Sequence, residues 1–162
     1  MKFRGLAARN RVLGIVCLIA WTSLLLFAKG STSKITIESA RLTGPITIVD
    51  PAVLTNFQVY AGPGTSTGET TSLIVDWASG KVPAAPKDLE RYRVSFDVGR
   101  EHPYVVLYAY DTAARRGYVY LPGKDDEWYR TNVFLIYRRL EGNWFRASEA
   151  WDKLAGRLIE KR

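Results

Sequence analysis

The clearest pattern lies in the second half of the chain, where apolar and polar positions alternate. Tyr92, Val94, Phe96 and Val98 are separated by Arg93, Ser95 and Asp97, as in a strand with one packed and one wet face. Tyr104 to Tyr110 is apolar on both faces, which predicts a central strand. Further strands are predicted over Tyr118–Leu121, Val133–Tyr137 and Trp144–Ala147, with Pro122-Gly123 as a type II turn and Glu141-Gly-Asn143 as a hairpin turn. Upstream, Lys34–Glu38, Ile46–Val49 and Leu73–Trp77 carry the same signal. Residues 61–68 and 80–87, rich in Gly, Pro, Ser and Ala, read as connections without regular structure.

Two helices interrupt the strands. Asp50 before Pro51 is an N-cap followed by the residue best suited to a first helical position, with Val49 placed to staple against Leu54 and an end near Phe57. Ser148 caps a final helix whose Trp151, Leu154, Ala155, Leu158 and Ile159 fall on one stripe. A striped helix needs a surface to cover, and a sheet face supplies one. The expected fold is therefore α+β: an antiparallel sheet of five to seven strands with a C-terminal helix and one short helix.

A different pattern precedes all of this. Residues 12–28 form an unbroken run of 17 uncharged, mostly apolar residues, behind Lys2, Arg4, Arg9 and Arg11 and ahead of the first acid, Glu38. Spanning a hydrocarbon core of about 30 Å takes roughly 20 helical residues, so the run is short but adequate with its flanks. The cations hold the head in the cytoplasm while the apolar run enters the bilayer. The expected organisation is a basic cytoplasmic region over 1–11, a transmembrane signal anchor over 12–28, a linker over 29–33 and an extracytoplasmic domain over 34–162. Small residues at Ala28 and Gly30 leave a second outcome: cleavage near Gly30 and secretion.

The charge balance changes once this segment is set aside. The chain has 23 Lys and Arg against 16 Asp and Glu. Five of those cations and no acid lie in residues 1–30, leaving 18 against 16, a net of +2. The pI near 9.6 is thus largely topogenic, and no nucleic-acid partner is expected of so balanced a domain. The single cysteine, Cys17, lies in the apolar run, so the exported part has no disulfide and depends on packing. Four Trp, nine Tyr and four Phe follow Lys29, and each buries about 150 to 250 Å² when packed.

Catalytic chemistry finds little footing. His102, the single histidine, stands in Arg100-Glu-His-Pro103, where Glu101 or Asp97 would orient it as a general base. No nucleophile motif accompanies it, and a turn between strands explains it as well. Asp125-Asp-Glu127 lacks the spacing of a calcium loop, and one His without exported Cys does not make a zinc site. Gly62-Pro-Gly-Thr-Ser-Thr-Gly68 is followed by Glu69 rather than the Lys of a phosphate-cradling loop. No catalytic residue, metal or cofactor is assigned.

The arrangement with chemical content is aromatic. If residues 111–117 connect a hairpin, a symmetric register pairs Tyr110 with Tyr118 and Tyr108 with Tyr120, placing all four rings on one face. Trp128 and Tyr129 would rim that patch, and Arg115 and Arg116 would serve anionic groups. Such a surface stacks on sugar rings or accepts extended peptides. The competing arrangement buries these rings under the final helix against Trp151.

Tyr118-Val-Tyr-Leu-Pro-Gly123, Trp128-Tyr129, Asn132, Glu141-Gly-Asn-Trp144, Ala147 and Trp151-Asp152, with Gly44-Pro-Ile-Thr-Ile-Val-Asp-Pro51 upstream, resemble a group of small bacterial exported proteins. These have one N-terminal hydrophobic segment and no established activity. The resemblance spans roughly Ile35 to Asp152; it implies a location in the bacterial envelope and supplies no catalytic residues. The expected function is that of a noncatalytic binding or envelope-associated module on the cytoplasmic membrane. The bilayer would hold residues 12–28, and a cell-wall glycan, a peptide or a membrane protein would be the partner. The alternatives are an envelope hydrolase or transferase using His102, or an accessory subunit of a membrane complex.

Overall fold

The structure, a computed structural model, describes residues 31–59, 62–63, 74–99, 102–130 and 139–162. The apolar run 12–28 and the predicted strand 133–137 lie outside these residues. The chain divides into Met1–Gly30 and Ser31–Arg162, and every described residue belongs to the second unit.

Among the described residues, seven strands build one antiparallel sheet: β1 (Thr32–Glu38), β2 (Ile46–Ile48), β3 (Lys81–Val82), β4 (Glu90–Val98), β5 (Tyr104–Asp111), β6 (Arg116–Leu121) and β7 (Asn143–Arg146). Their order is β2-β1-β4-β5-β6-β7-β3. With α1 (Pro51–Leu54) and α2 (Glu149–Ile159), the fold is α+β. β5 is the central strand, as its two apolar faces predict.

One sheet face is packed. Ile35 and Ile37 of β1 stand opposite Phe96 and Val94 of β4, and Val94 stands opposite Val106 of β5. Tyr108, Val119, Leu121 and Phe145 continue this face. Ser148 caps α2 by accepting from the Trp151 N–H, and Trp151, Ala155 and Ile159 are buried against the sheet, with Leu154 and Leu158 half-buried. The turn after α1 meets the same helix, since the rings of Phe57 and Trp151 pack edge to face at 5.3 Å. Among the described residues no helix is long and apolar enough to cross a membrane.

Several local expectations are corrected. β1 begins at Thr32 rather than Lys34, because the Thr32 N–H donates to Gln58 and so belongs to the folded domain. Helix α1 ends at Leu54 rather than near Phe57; the side chains of Thr55 and Asn56 both donate to the Ala52 carbonyl and compete with helix continuation. Val49 is 62% exposed and does not act as a staple. Of the predicted 73–77 strand, Val75 forms a single bridge to Ala147, and Asp76 then caps a 3-10 turn over Trp77–Ser79. Residues 81–82, expected to be irregular, form the edge strand β3 against β7. Pro122-Gly123 is not a type II turn, which needs a positive φ at the glycine; the Gly123 N–H instead donates to the Asp126 carboxylate at 2.6 Å.

Candidate functional site

The β5–β6 hairpin decides where the candidate rings go. Its turn holds only Thr112–Arg115, with Asp111 opposite Arg116, Tyr110 opposite Gly117, Tyr108 opposite Val119, and Leu107 opposite Tyr120. This register is one residue away from the symmetric one, and a one-residue slip turns every side chain of a strand to the other face. The four tyrosines therefore do not share a face. Tyr108 and Tyr110 lie on the packed side, whereas Tyr118 and Tyr120 lie on the side opposite α2.

Two local features set the register. The Asp111 carboxylate accepts from the N–H groups of Ala113 and Ala114, both at 3.0 Å, which tightens the turn. Gly117 then falls where only glycine fits, because a Cβ there would run into the Tyr108 ring. A tyrosine at that position would collide, so Tyr118 faces away.

On the packed side Tyr108 is fully buried, stacked on Tyr110 at 5.7 Å and edge-on to Trp151 at 5.9 Å. Its hydroxyl donates to Asp152 at 2.8 Å, and the Gly117 N–H donates to the other carboxylate oxygen at 3.1 Å. Burial raises the Asp152 pKa above the ordinary carboxylate value, against the lowering effects of these two hydrogen bonds and of Arg116. Burial and the adjacent carboxylate push the Tyr108 phenol far above its ordinary value. Tyr108 and Tyr110 belong to the buried junction between sheet and helix, with Tyr110 reaching the wall of a small cavity there.

On the side opposite α2, cross-strand neighbours form two rows: Arg93, Leu107, Tyr120, Trp144 and Val82, then Arg91, the fully buried Ala109, Tyr118 and Arg146. The Tyr120 and Trp144 rings lie 5.1 Å apart, Arg91 stands over Trp144 at 5.8 Å, and the Tyr120 hydroxyl donates to Asp126 at 2.8 Å. Trp128 and Tyr129 follow on the same turn, where the Tyr129 N–H donates to the Asp126 carbonyl; both are half-buried. Tyr118 makes no ring contact among the described residues and is flanked by Arg116 on its own strand and Arg146 across from it. Toward β1 the same face turns ionic, with Lys34 on Asp97 at 2.7 Å and Arg93 on Glu38.

Beyond the end of the sheet, where the hairpin turn meets the start of α2, lies a cleft of about 700 Å³. Arg115, Arg116, Arg146 and Lys153 line it, and a side cavity of about 280 Å³ adds Arg157. Asp152 borders both. His102 is exposed just before β5; of its two named orienting partners, Asp97 is committed to Lys34 and Glu101 lies outside the described residues.

Thus the structure joins Tyr118, Tyr120, Arg115 and Arg116 around one end and one face of the sheet, and withdraws Tyr108 and Tyr110. Trp144, Arg146 and Asp152 were missed. Trp144 alternates with buried Phe145 and was readable as the outward residue of that strand; nothing in the sequence marks Asp152 beyond its place beside Trp151. In comparisons with protein-family models, curated proteins and solved structures, no match was found.

Proposed function

We propose that this chain is a membrane-anchored, extracytoplasmic binding module that takes a cell-wall glycan on the sheet face opposite α2. The carrying observation is Tyr118, whose ring has no aromatic partner among the described residues and stands between Arg116 and Arg146, beside the braced pair Tyr120 and Trp144. Sugar rings pack their apolar C–H faces on such aromatics, and guanidinium groups at the edge hold acidic or hydroxyl substituents. Residues 12–28 would supply the anchor, with the cations before them retained in the cytoplasm.

The full chain in neutral detergent is titrated with soluble peptidoglycan fragments while tryptophan fluorescence is followed. Binding is expected, and Tyr118→Ala should weaken it about tenfold, a loss of about 1.4 kcal/mol within the range for one ring contact. Fragments that fail to bind, or bind Tyr118→Ala equally well, overturn the reading.

A further inference from the structure

We propose that the cleft between the β5–β6 turn and the start of α2 is a binding site for a phosphate-type oxyanion. The argument rests on which charges around it are already committed. Each acid on its rim has an internal partner. Asp76 caps the 3-10 turn, and Glu149 pairs with Lys153 at 2.6 Å. Asp152 is bound by Tyr108 and Gly117, and Glu160 accepts from the Tyr110 hydroxyl at 3.3 Å.

The cations are in the opposite condition. Arg115, Arg116, Arg146 and Arg157 form no ion pair among the described residues. They come from four places in the fold: the turn, the start of β6, the end of β7 and the last turns of α2. Hydrogen bonding leaves those carboxylates charged, so the two cavities carry five cations against four acids. It is the four guanidinium forks without an ion pair among the described residues that are complementary to an added anion. Several planar, fork-shaped donors match a tetrahedral dianion better than a single carboxylate.

Arg115 adds a second, independent indication. Its φ of 49° lies in the left-handed region, where glycine is at home and a side chain is strained. Its side chain is exposed and forms no ion pair or hydrogen bond among the described residues; its charge acts on the nearby Tyr110 without a direct bond. Its position on the rim of both cavities accounts for an arginine there.

The test separates folding from binding, because glycine relieves the turn while removing the cation. Inorganic phosphate is titrated calorimetrically into the full chain in neutral detergent, with ionic strength held constant by chloride. Saturable binding is expected, and Arg115→Gly should weaken it at least tenfold while the melting temperature stays the same or rises. Arg146→Gln should weaken it as well. No saturable binding at millimolar phosphate, or equal binding by Arg115→Gly, overturns the proposal. The two readings share Arg116 and Arg146 but are told apart at Tyr118 and Arg115: Tyr118 does not line the cleft, and phosphate does not probe its ring.

Discussion

A single carboxylate does much of the fastening between sheet and helix. Asp152 is 8% exposed and receives a phenol proton from β5 and an amide proton from β6 while sitting on α2. Replacing it by Ala strands two buried donors, each costing about 1 to 3 kcal/mol, so Asp152→Ala is expected to destabilise by about 3 kcal/mol in denaturant titrations. Its pH dependence has a definite sign. The folded state raises this carboxyl's pKa above its usual 3.8, so the folded state binds the proton more readily than the unfolded chain does. Stability from this group is then greatest at low pH and falls as pH rises through the raised value. The gap between the parent chain and Asp152→Asn should widen in the parent's favour as pH is lowered from 7 toward 4. A gap that narrows would show that the carboxylate is held charged.

At the level of elements, the β5–β6 hairpin shows what the sequence holds and what it conceals. Period-two alternation located β4, β5 and β6, and the Ser148 cap with its apolar stripe located α2, because each signal arises from a local period or a local hydrogen bond. Register is different: it depends on which turn closes the hairpin and on what the opposing layer can accommodate. The symmetric pairing of Tyr110 with Tyr118 looked favourable on the ring pattern alone. Asp111 and Gly117 outweighed it, the former by closing a shorter turn and the latter by admitting the Tyr108 ring from the packed side. The short edge strand β3 was hidden for a related reason, since Lys81 and Val82 become a strand only through β7. The candidate site suffered most, because its members lie on opposite faces that one residue of slip exchanges.

This explanation makes a demand on the glycine itself. Gly117→Ala places a methyl against a ring that is 0% exposed and cannot withdraw, so a loss of about 3 kcal/mol is expected, the upper range for overpacking. Gly156→Ala provides the contrast, for there a Cβ meets the Tyr110 hydroxyl near the domain edge, and the gain in helix propensity of about 1 kcal/mol offsets part of the clash. Combining Gly156→Ala with Tyr110→Phe should recover part of the loss, since it removes the hydroxyl contact and leaves the ring carbon at 2.8 Å, whereas Gly117→Ala should have no such partner. Equal costs at the two sites, read from urea midpoints, would remove the steric account of the register.

Among the described residues, the long helix α2 packs on one face of the seven-stranded sheet. The face under α2 is closed by Trp151, Ala155 and Ile159, so the two binding proposals fall on the opposite face and on the cleft at the sheet end. Neither surface says which compartment it meets; that rests on the asymmetry of residues 1–30, with four cations before the apolar run and one after it. In the proposed topology those four cations resist transfer and orient the segment. A reporter enzyme that matures only through disulfide formation, fused after Arg162, is therefore expected to be active in intact cells. Replacing Lys2, Arg4, Arg9 and Arg11 by Asn, with Lys29 kept, leaves the larger positive charge on the other flank and should lower that activity several-fold. An unmodified fusion active only as a cytosolic reporter would place the aromatic face and the arginine cleft inside the cell. The glycan reading would then fail on access alone, while phosphate binding by the cleft would still stand or fall on Arg115.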